Sequence, residues 1–352
     1  MTASRLAAAA AALLLACRGG DGAGREAAGA PARPAGRVAV AHAWEEAFRV
    51  GGSLEDTLLQ GPARLAADAR GVWVADPMAG RILRFDHEGR LVRAVGRRGG
   101  GPGEFRSMRD LEADPDGRAW VLDRADARVT ILDPAGGPGR RIPLGEEARS
   151  ADQLVPLAPD RGAVLVVYDR ERPFVRVGPD GRIEDRFGTP WSGFADLDPL
   201  AAQLVTAAGS GGRWAALFGM GDGFFVRGPG GWSGGRKPYV EEVAFPRVET
   251  RGGLSPDGTG RVEERIAGDR PVFAALSASA AGGRLAVLFG GRSPERGRWL
   301  DVYDLADGSY RGSLLLPGPF EQVALGGGLL YGLAARPAPV LVAYRLPTEG
   351  LP

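Results

Sequence analysis

The stretch LAADARGVWVADPMAGRILRFD at residues 65–86 is followed by a related stretch, LEADPDGRAWVLDRADARVTILD, at residues 111–133. Equivalent residues lie 46 or 47 positions apart, as the pairs Asp68 and Asp114 or Arg81 and Arg128 show. Repeats with a period in the forties that contain several short strands are typical of the blades of a β-propeller. The duplication therefore predicts an all-β chain built from repeated sheets.

Each repeat predicts four short antiparallel strands. In the first repeat, residues 65–68, 72–75, 81–86 and 91–95 are mostly apolar or β-branched, and the Asp and Gly residues between them favour turns. The pattern continues more weakly at residues 164–177, 214–226, 285–304 and 323–344. Six units fit between about Leu58 and Leu346, whereas seven would be too short for four strands each. We predict a six-bladed β-propeller of four-stranded antiparallel blades spanning residues 37–352.

The last unit shows only three clear strands before the chain ends. A ring of blades keeps an open sheet edge unless the two ends of the chain close it. The N-terminal segment 37–50 contains Val38, Val40, Trp44 and Phe48, and we predict that it supplies the missing outer strand. The alternative is a short helix that lies on the domain.

A glycine-rich linker, GRRGGGPGEF at residues 96–105, joins the first two units. Glycines allow positive φ, Pro102 favours a turn, and Phe105 can pack between blades. The linker resembles the signature of NHL-repeat propellers and of related six-bladed propeller lipoproteins of bacteria. The resemblance covers residues 58–145 well and the rest by pattern only. NHL repeats usually carry Asn before the Arg of the third strand, where this chain has Gly80 and Ala127.

The first 36 residues predict export and anchoring. Residues 1–16 have Arg5 near the start and then an apolar run of about eleven residues, which suits a signal peptide and is too short to cross a bilayer. The run ends in LLAC at residues 14–17, which resembles the lipobox of bacterial lipoproteins. That resemblance implies lipidation of Cys17, with residues 17–36 as the lipidated Cys and a flexible tether. The alternative is an ordinary secretory signal with an incidental Cys.

Composition restricts the function. Lys and Arg number 44 against 43 Asp and Glu, so the nearly balanced charge gives no electrostatic attraction to nucleic acid. We therefore expect no nucleic-acid partner. The chain has one Cys, two His and no Asn, which removes several common catalytic and metal-binding side chains. We find no catalytic motif, and we expect no cofactor and a monomeric protein.

The repeated polar residues have a simple structural interpretation. Asp76 and Asp123 occupy the same position in two units, which favours hydrogen bonds to turn amides, or pairing with the Arg of the third strand, over a pair of catalytic carboxylates. Trp73 and Trp120 are repeated in the same way, so we expect both in the core.

The inner strands of a propeller line a central channel, and the residue before each inner-strand leucine is expected at its mouth. We predict these positions as Arg64, Asp110, Gln153, Ala216, Ala275 and Gln322. The four polar ones, Arg64, Asp110, Gln153 and Gln322, are candidate ligand-binding residues. Since a hard cation needs several oxygens with net negative charge, we predict no metal there. The alternative is that these side chains only satisfy one another.

Three functions remain open. We favour a binding module, anchored to the membrane through its lipid and located in the cell envelope, that presents its loop face to a protein, peptide or glycan. The second hypothesis is a propeller hydrolase or lyase with a metal in the central channel, and the third is a purely structural component. The fold alone does not choose between them.

Overall fold

The computed structural model of the protein describes residues 36–134, 139–158, 160–197, 202–237, 246, 248–252, 262–266, 272–291 and 296–352. Residues 1–35 fall outside this part, and with them Cys17, the predicted signal peptide and most of the predicted tether. The described residues form 26 strands and three 3-10 helices, which are Glu146–Ala148, Ser192–Asp196 and Ser210–Gly212. Within that described part of the chain, no helix has the length and apolar character needed to cross a membrane.

The first three blades follow one another along the chain after an initial strand, β1 (Glu46–Gly51). Each is a four-stranded antiparallel sheet whose strands pair in chain order. Blade one is β2 (Arg64–Asp68), β3 (Gly71–Asp76), β4 (Arg81–Phe85) and β5 (Leu91–Val95). Blade two is β6 (Met108–Ala113), β7 (Ala119–Asp123), β8 (Arg128–Leu132) and β9 (Arg140–Pro143). Blade three is β10 (Gln153–Ala158), β11 (Gly162–Val166), β12 (Phe174–Val177) and β13 (Ile183–Phe187).

The second half of the chain repeats this arrangement with one insertion. Blade four is β14 (Leu204–Ala208), β15 (Trp214–Phe218), β16 (Gly223–Gly228) and β17 (Gly231–Arg236). A two-stranded hairpin, β18 (Val248–Gly252) and β19 (Val262–Ile266), then precedes blade five. Blade five is β20 (Ser277–Ala281), β21 (Arg284–Leu288), β22 (Trp299–Asp304) and β23 (Tyr310–Leu315). Blade six begins with β24 (Gln322–Gly326), β25 (Leu329–Ala334) and β26 (Val340–Arg345).

Strand β1 completes blade six. It pairs antiparallel with β26 as the outermost strand of the order β1-β26-β25-β24. The bounds differ from the predicted 37–50, because only the second half of that segment belongs to blade six. Its first half lies along β23 of blade five, where the Val40 amide donates to the Ser313 carbonyl at 2.8 Å and the Ser313 amide donates to the Val38 carbonyl at 2.9 Å. The N-terminal segment thus joins the last two blades.

The hydrophobic core lies between blades. Six clusters of buried side chains each combine residues from two neighbouring blades, and one of them joins blade six to blade one. Trp73 and Trp120 have no exposed surface, as predicted, and Trp73 packs in the cluster between blades one and two. Phe105, at the end of the glycine-rich linker, is in the same cluster and is 1% exposed. The linker therefore fixes one blade against the next by burying its aromatic residue.

The repeated aspartates hold the connections between blades. Asp76 accepts hydrogen bonds from the backbone amides of Gln60 and Gly61 at 2.8 and 3.0 Å. Asp123 does the same for Arg106 and Ser107 at 2.9 and 3.0 Å. In both units the carboxylate at the end of the second strand binds the segment that leads into the inner strand of its own blade. The two aspartates therefore bind backbone amides, which is the structural interpretation favoured from the sequence.

The position that carries Asn in NHL repeats has a left-handed backbone here. Gly80 has φ of 67° and Ala127 has φ of 46°, and no other residue except glycine has a positive φ in the part of the chain described. Asn and Gly adopt this conformation readily, whereas Ala does so at a cost. Both turns therefore share a left-handed residue at this position.

Candidate functional site

The six inner strands, β2, β6, β10, β14, β20 and β24, surround the central axis and contact one another in a ring. We call the end at which they begin the loop face, because the connections between blades and the loops between second and third strands meet there. Two cavities lie close to this axis. The axial cavity, of about 50 Å³, lies between the inner strands, and the loop-face cavity, of about 390 Å³, opens beside it on the loop face. Arg64 and Gln153 line both cavities.

The four predicted ligand-binding residues converge on the axial cavity. Arg64, Asp110, Gln153 and Gln322 all line it, together with Glu112, Thr206 and Ser277. Each of the four is at or near the beginning of an inner strand.

The other two predicted channel positions are wrong. Ala216 is on β15, the second strand of blade four, and is fully buried in the core between blades three and four. The inner strand of that blade is β14, which is short and ends at Ala208. Ala275 precedes β20, is 2% exposed, and packs between blades four and five. Thr206 and Ser277 take the corresponding places at the axis.

Hydrogen bonds connect several inner strands across the blades. The Arg64 guanidinium lies 3.7 Å from the Asp110 carboxylate, whose other oxygen accepts from the Leu154 amide at 2.8 Å. The Gln153 side-chain oxygen accepts from the Thr206 amide at 3.2 Å. Ser277 similarly accepts from the Val323 amide at 2.9 Å. Arg64, Asp110 and Gln153 therefore satisfy much of their polar demand within the protein.

Glu112 is the charged residue among those at the axis that the sequence analysis does not predict. It is on β6, two residues after Asp110, so both side chains project toward the same cavity. Within the described residues its carboxylate has no hydrogen-bond or ion-pair partner. Burial and the neighbouring Asp110 raise the pKa of Glu112 well above its usual value. Burial also raises the pKa of Asp110, to about 6, although Arg64 and the Leu154 amide act in the opposite direction.

The loop-face cavity combines charged and apolar walls. Its charged side chains are Arg64, Arg109, Arg170, Asp152 and Asp169. Its apolar walls come from the end of β11, from the loop that follows, and from the connection between blades three and four, with Val166, Val167, Pro173, Phe194 and Leu204. Tyr168, in the loop between β11 and β12, stands at the cavity with 51% of its surface exposed.

Asp152 is the centre of the polar contacts around this cavity. Arg124 pairs with its carboxylate at 3.1 Å, and Arg109 lies at 3.9 Å. The guanidinium of Arg124 also lies 5.9 Å from the centre of the Tyr168 ring. Partial burial and the hydrogen bond to Asp152 raise the pKa of the Tyr168 hydroxyl to about 12, so the phenol stays protonated at neutral pH.

The two histidines and Glu104 lie away from both cavities. His87 contacts the Tyr331 hydroxyl and the Ala69 carbonyl, both at 2.9 Å, in a turn on the opposite face. His42 contacts the Arg345 carbonyl at 3.2 Å beside blade six. Glu104 pairs with Arg97 at 2.7 Å within the glycine-rich linker. Among the residues that the structure describes, no three His, Cys, Asp or Glu side chains come together in a way that could hold a metal ion.

A protein-family model described as a six-bladed beta-propeller matches residues 54–133, which hold blade one and most of blade two. The six sheets around one axis extend this assignment to the later blades. The chain is a six-bladed β-propeller. No curated protein sequence matches this propeller.

Solved structures share the propeller architecture at low sequence identity. A member of the DUF4221 family from Bacteroides vulgatus has a TM-score of 0.54 and 10% identity, over 89% of this chain and 99% of that one. U3-55K has a TM-score of 0.52 and 11% identity, over 86% and 100%. A Bacteroides fragilis protein thought to be exported has a TM-score of 0.52 and 10% identity, over 88% and 98%. At this level of identity the likeness shows the fold alone.

Proposed function

We propose that this propeller is a lipid-anchored binding module of the cell envelope that takes its ligand at the loop face. The observation that supports this is the loop-face cavity, which combines a volume of about 390 Å³ with mixed charged and apolar walls. Cavities of roughly 300–1,000 Å³ with apolar walls and a few polar groups are typical of ligand sites in proteins. A protein, peptide or glycan ligand would insert one protruding group into the loop-face cavity.

The two faces of the propeller differ in the way a binding function requires. The opposite face of blades one to three carries tight turns, such as residues 178–182, in which the Gly178 and Gly181 backbones hydrogen-bond within the turn. The loop face carries longer connections, such as the one that follows β13 and contains the 3-10 helix Ser192–Asp196. Binding residues are found preferentially on loops held by a rigid scaffold.

The experiment that tests the binding face places a photo-crosslinking amino acid at Arg170 or, as a matched control, at Arg182. Both are arginines of blade three with exposed side chains, but Arg170 is in the β11–β12 loop on the loop face and Arg182 is in the β12–β13 turn on the opposite face. On irradiation in intact cells, position 170 should give discrete crosslinked products and position 182 should not. Equal labelling at both positions, or no labelling at position 170, would contradict the proposed face.

Anchoring is proposed from the sequence of residues 14–17. We expect Cys17 to be acylated and to become the mature N-terminus. Cys17→Ser should therefore move the protein from the membrane pellet to the soluble fraction. A variant that stays in the membrane pellet as the wild-type protein does would show that the lipobox interpretation is wrong. The kinship with NHL-repeat lipoproteins is part of the same proposal, and it is supported by the glycine-rich linker and by the turns at Gly80 and Ala127.

A second candidate function is a propeller hydrolase or lyase with a metal in the central channel. The observation that favours it is the Glu112 carboxylate, which faces the axial cavity beside Asp110 without a partner in the described structure. We favour the binding module, because the side chains at the axis supply only two carboxylates and Asp110 already contacts Arg64. Metal analysis of the purified protein separates the two, since one tightly held equivalent of calcium or zinc would bring the enzyme forward.

A further inference from the structure

The guanidinium groups around the loop-face cavity outnumber the carboxylates available to neutralise them. Asp169 accepts from the amides of Glu171 and Arg172 at 2.9 and 2.8 Å, and its other oxygen lies 3.8 Å from Arg186 on β13. Asp152 is shared between Arg124 at 3.1 Å and Arg109 at 3.9 Å.

Two arginines therefore keep hydrogen-bonding capacity at the cavity. No carboxylate within the described residues is in salt-bridge distance of Arg170, and its side chain is exposed. Within the described part of the chain, Arg109 makes one ion pair, the 3.9 Å contact to Asp152, and its side chain is 49% exposed. A guanidinium presents five N–H donors in a planar arrangement that fits both oxygens of a carboxylate.

The apolar part of the cavity lies beside these donors. Pro173, Phe194 and Leu204 line it from three separate segments, and the exposed ring of Tyr168 stands at the same cavity. A hydrophobic group that covers such surfaces gains about 25 cal/mol for each Å² removed from water. The site thus pairs unneutralised arginines with an apolar wall.

We propose that the loop-face cavity binds an organic-acid group carried by the ligand, with its carboxylate on Arg109 and Arg170 and its apolar body against Pro173, Phe194 and Leu204. This inference rests on the proposed binding function, and it adds the chemical class of the ligand. A phosphate or other inorganic anion would use the arginines but would leave the apolar walls uncovered. A neutral ligand of the same shape would cover the walls but would not use the arginines.

Isothermal titration of the purified propeller with three probes tests this. The probes are 3-phenylpropionate, its neutral amide, and inorganic phosphate. Because only the acid can form charge-assisted hydrogen bonds with the two arginines, it should bind at least about tenfold more tightly than the amide. Phosphate should bind more weakly than the acid. Arg170→Gln should lower the affinity for the acid by about tenfold. Arg182→Gln, on the opposite face, should leave that affinity unchanged.

Other outcomes would overturn the inference. The acid and the amide could bind equally well, or phosphate could bind more tightly than the acid. The acid could also fail to bind up to about 10 mM, which corresponds to a binding free energy weaker than about 3 kcal/mol. The crosslinking experiment tests the proposed binding function independently of the ligand class. Discrete crosslinks from position 170 combined with no affinity for the acid would keep the loop face as a binding site and reject the organic acid as its ligand.

Discussion

Deletion of residues 36–51 should cost the propeller at least about 5 kcal/mol of stability. The deletion removes β1 from the edge of blade six, together with the contact of Phe48 with Tyr331, whose ring centres lie 6.1 Å apart. It also removes Arg37, which donates to both oxygens of Asp301 at 2.8 and 3.2 Å. Asp301 has no exposed surface and would keep the Ser313 hydroxyl as a hydrogen-bond donor but lose its guanidinium partner. A buried charge that loses its ion-pair partner costs about 3–5 kcal/mol. Since a whole domain is stable by only about 5–15 kcal/mol, the melting temperature should fall by at least about 10 °C.

Two further variants separate the causes of this loss. Deletion of residues 18–35 keeps every contact described for the N-terminal segment, so its melting temperature should match the wild type. Arg37→Ala alone should lose about 3–5 kcal/mol, and Arg37→Ala combined with Asp301→Asn should recover part of it, because the unpaired charge is gone. An unchanged melting temperature after deletion of residues 36–51 would show that the N-terminal segment does not hold the ring closed.

The ring is predictable from the sequence because the residues repeated in the first two units make the same contacts in both. Trp73 and Trp120 fill the gaps between blades, and Asp76 and Asp123 hold the incoming connections. The hairpin of β18 and β19 was not predicted, because it interrupts the spacing between blades four and five without repeating anything. In the same region the hydrophobic run of β15 resembles an inner strand, so the sequence pattern wrongly assigns Ala216 to the channel.

The candidate site was predictable only where it follows the repeat. Inner-strand register brought Arg64, Asp110, Gln153 and Gln322 to the axis. The loop-face cavity depends on Tyr168, Arg170 and Phe194, which lie in connections of irregular length, and no periodic pattern places such residues. Glu112 was missed for another reason: it is the second residue on the same face of one strand, and the prediction considered one residue for each blade.

The axial pair of acids should make the propeller less stable as pH rises. The pKa of Asp110 is about 6 in the folded protein and about 4 in an unfolded chain, so the folded state holds its proton more tightly in this window. Stability is then fully present below about pH 4 and is lost as pH rises through about 6. Glu112 acts in the same direction, because burial beside Asp110 raises its pKa as well. The two carboxyl groups interact, so the loss of stability with rising pH is a property of the pair and not of either residue alone.

Glu112→Gln should remove much of this loss. At pH 7 the variant replaces a side chain whose ionisation is opposed by burial and by Asp110 with an amide of the same size that carries no charge at any pH. It should therefore be more stable than the wild type by about 1–3 kcal/mol. At pH 4 the wild-type acid is already neutral, so the two proteins should unfold at the same denaturant concentration. Glu321→Gln, on an exposed side chain next to the axial Gln322, should change neither value. The opposite sign, with Glu112→Gln destabilising at pH 7 and added calcium stabilising only the wild type, would mean that Glu112 holds a cation, and the channel-metal function would then replace the binding module.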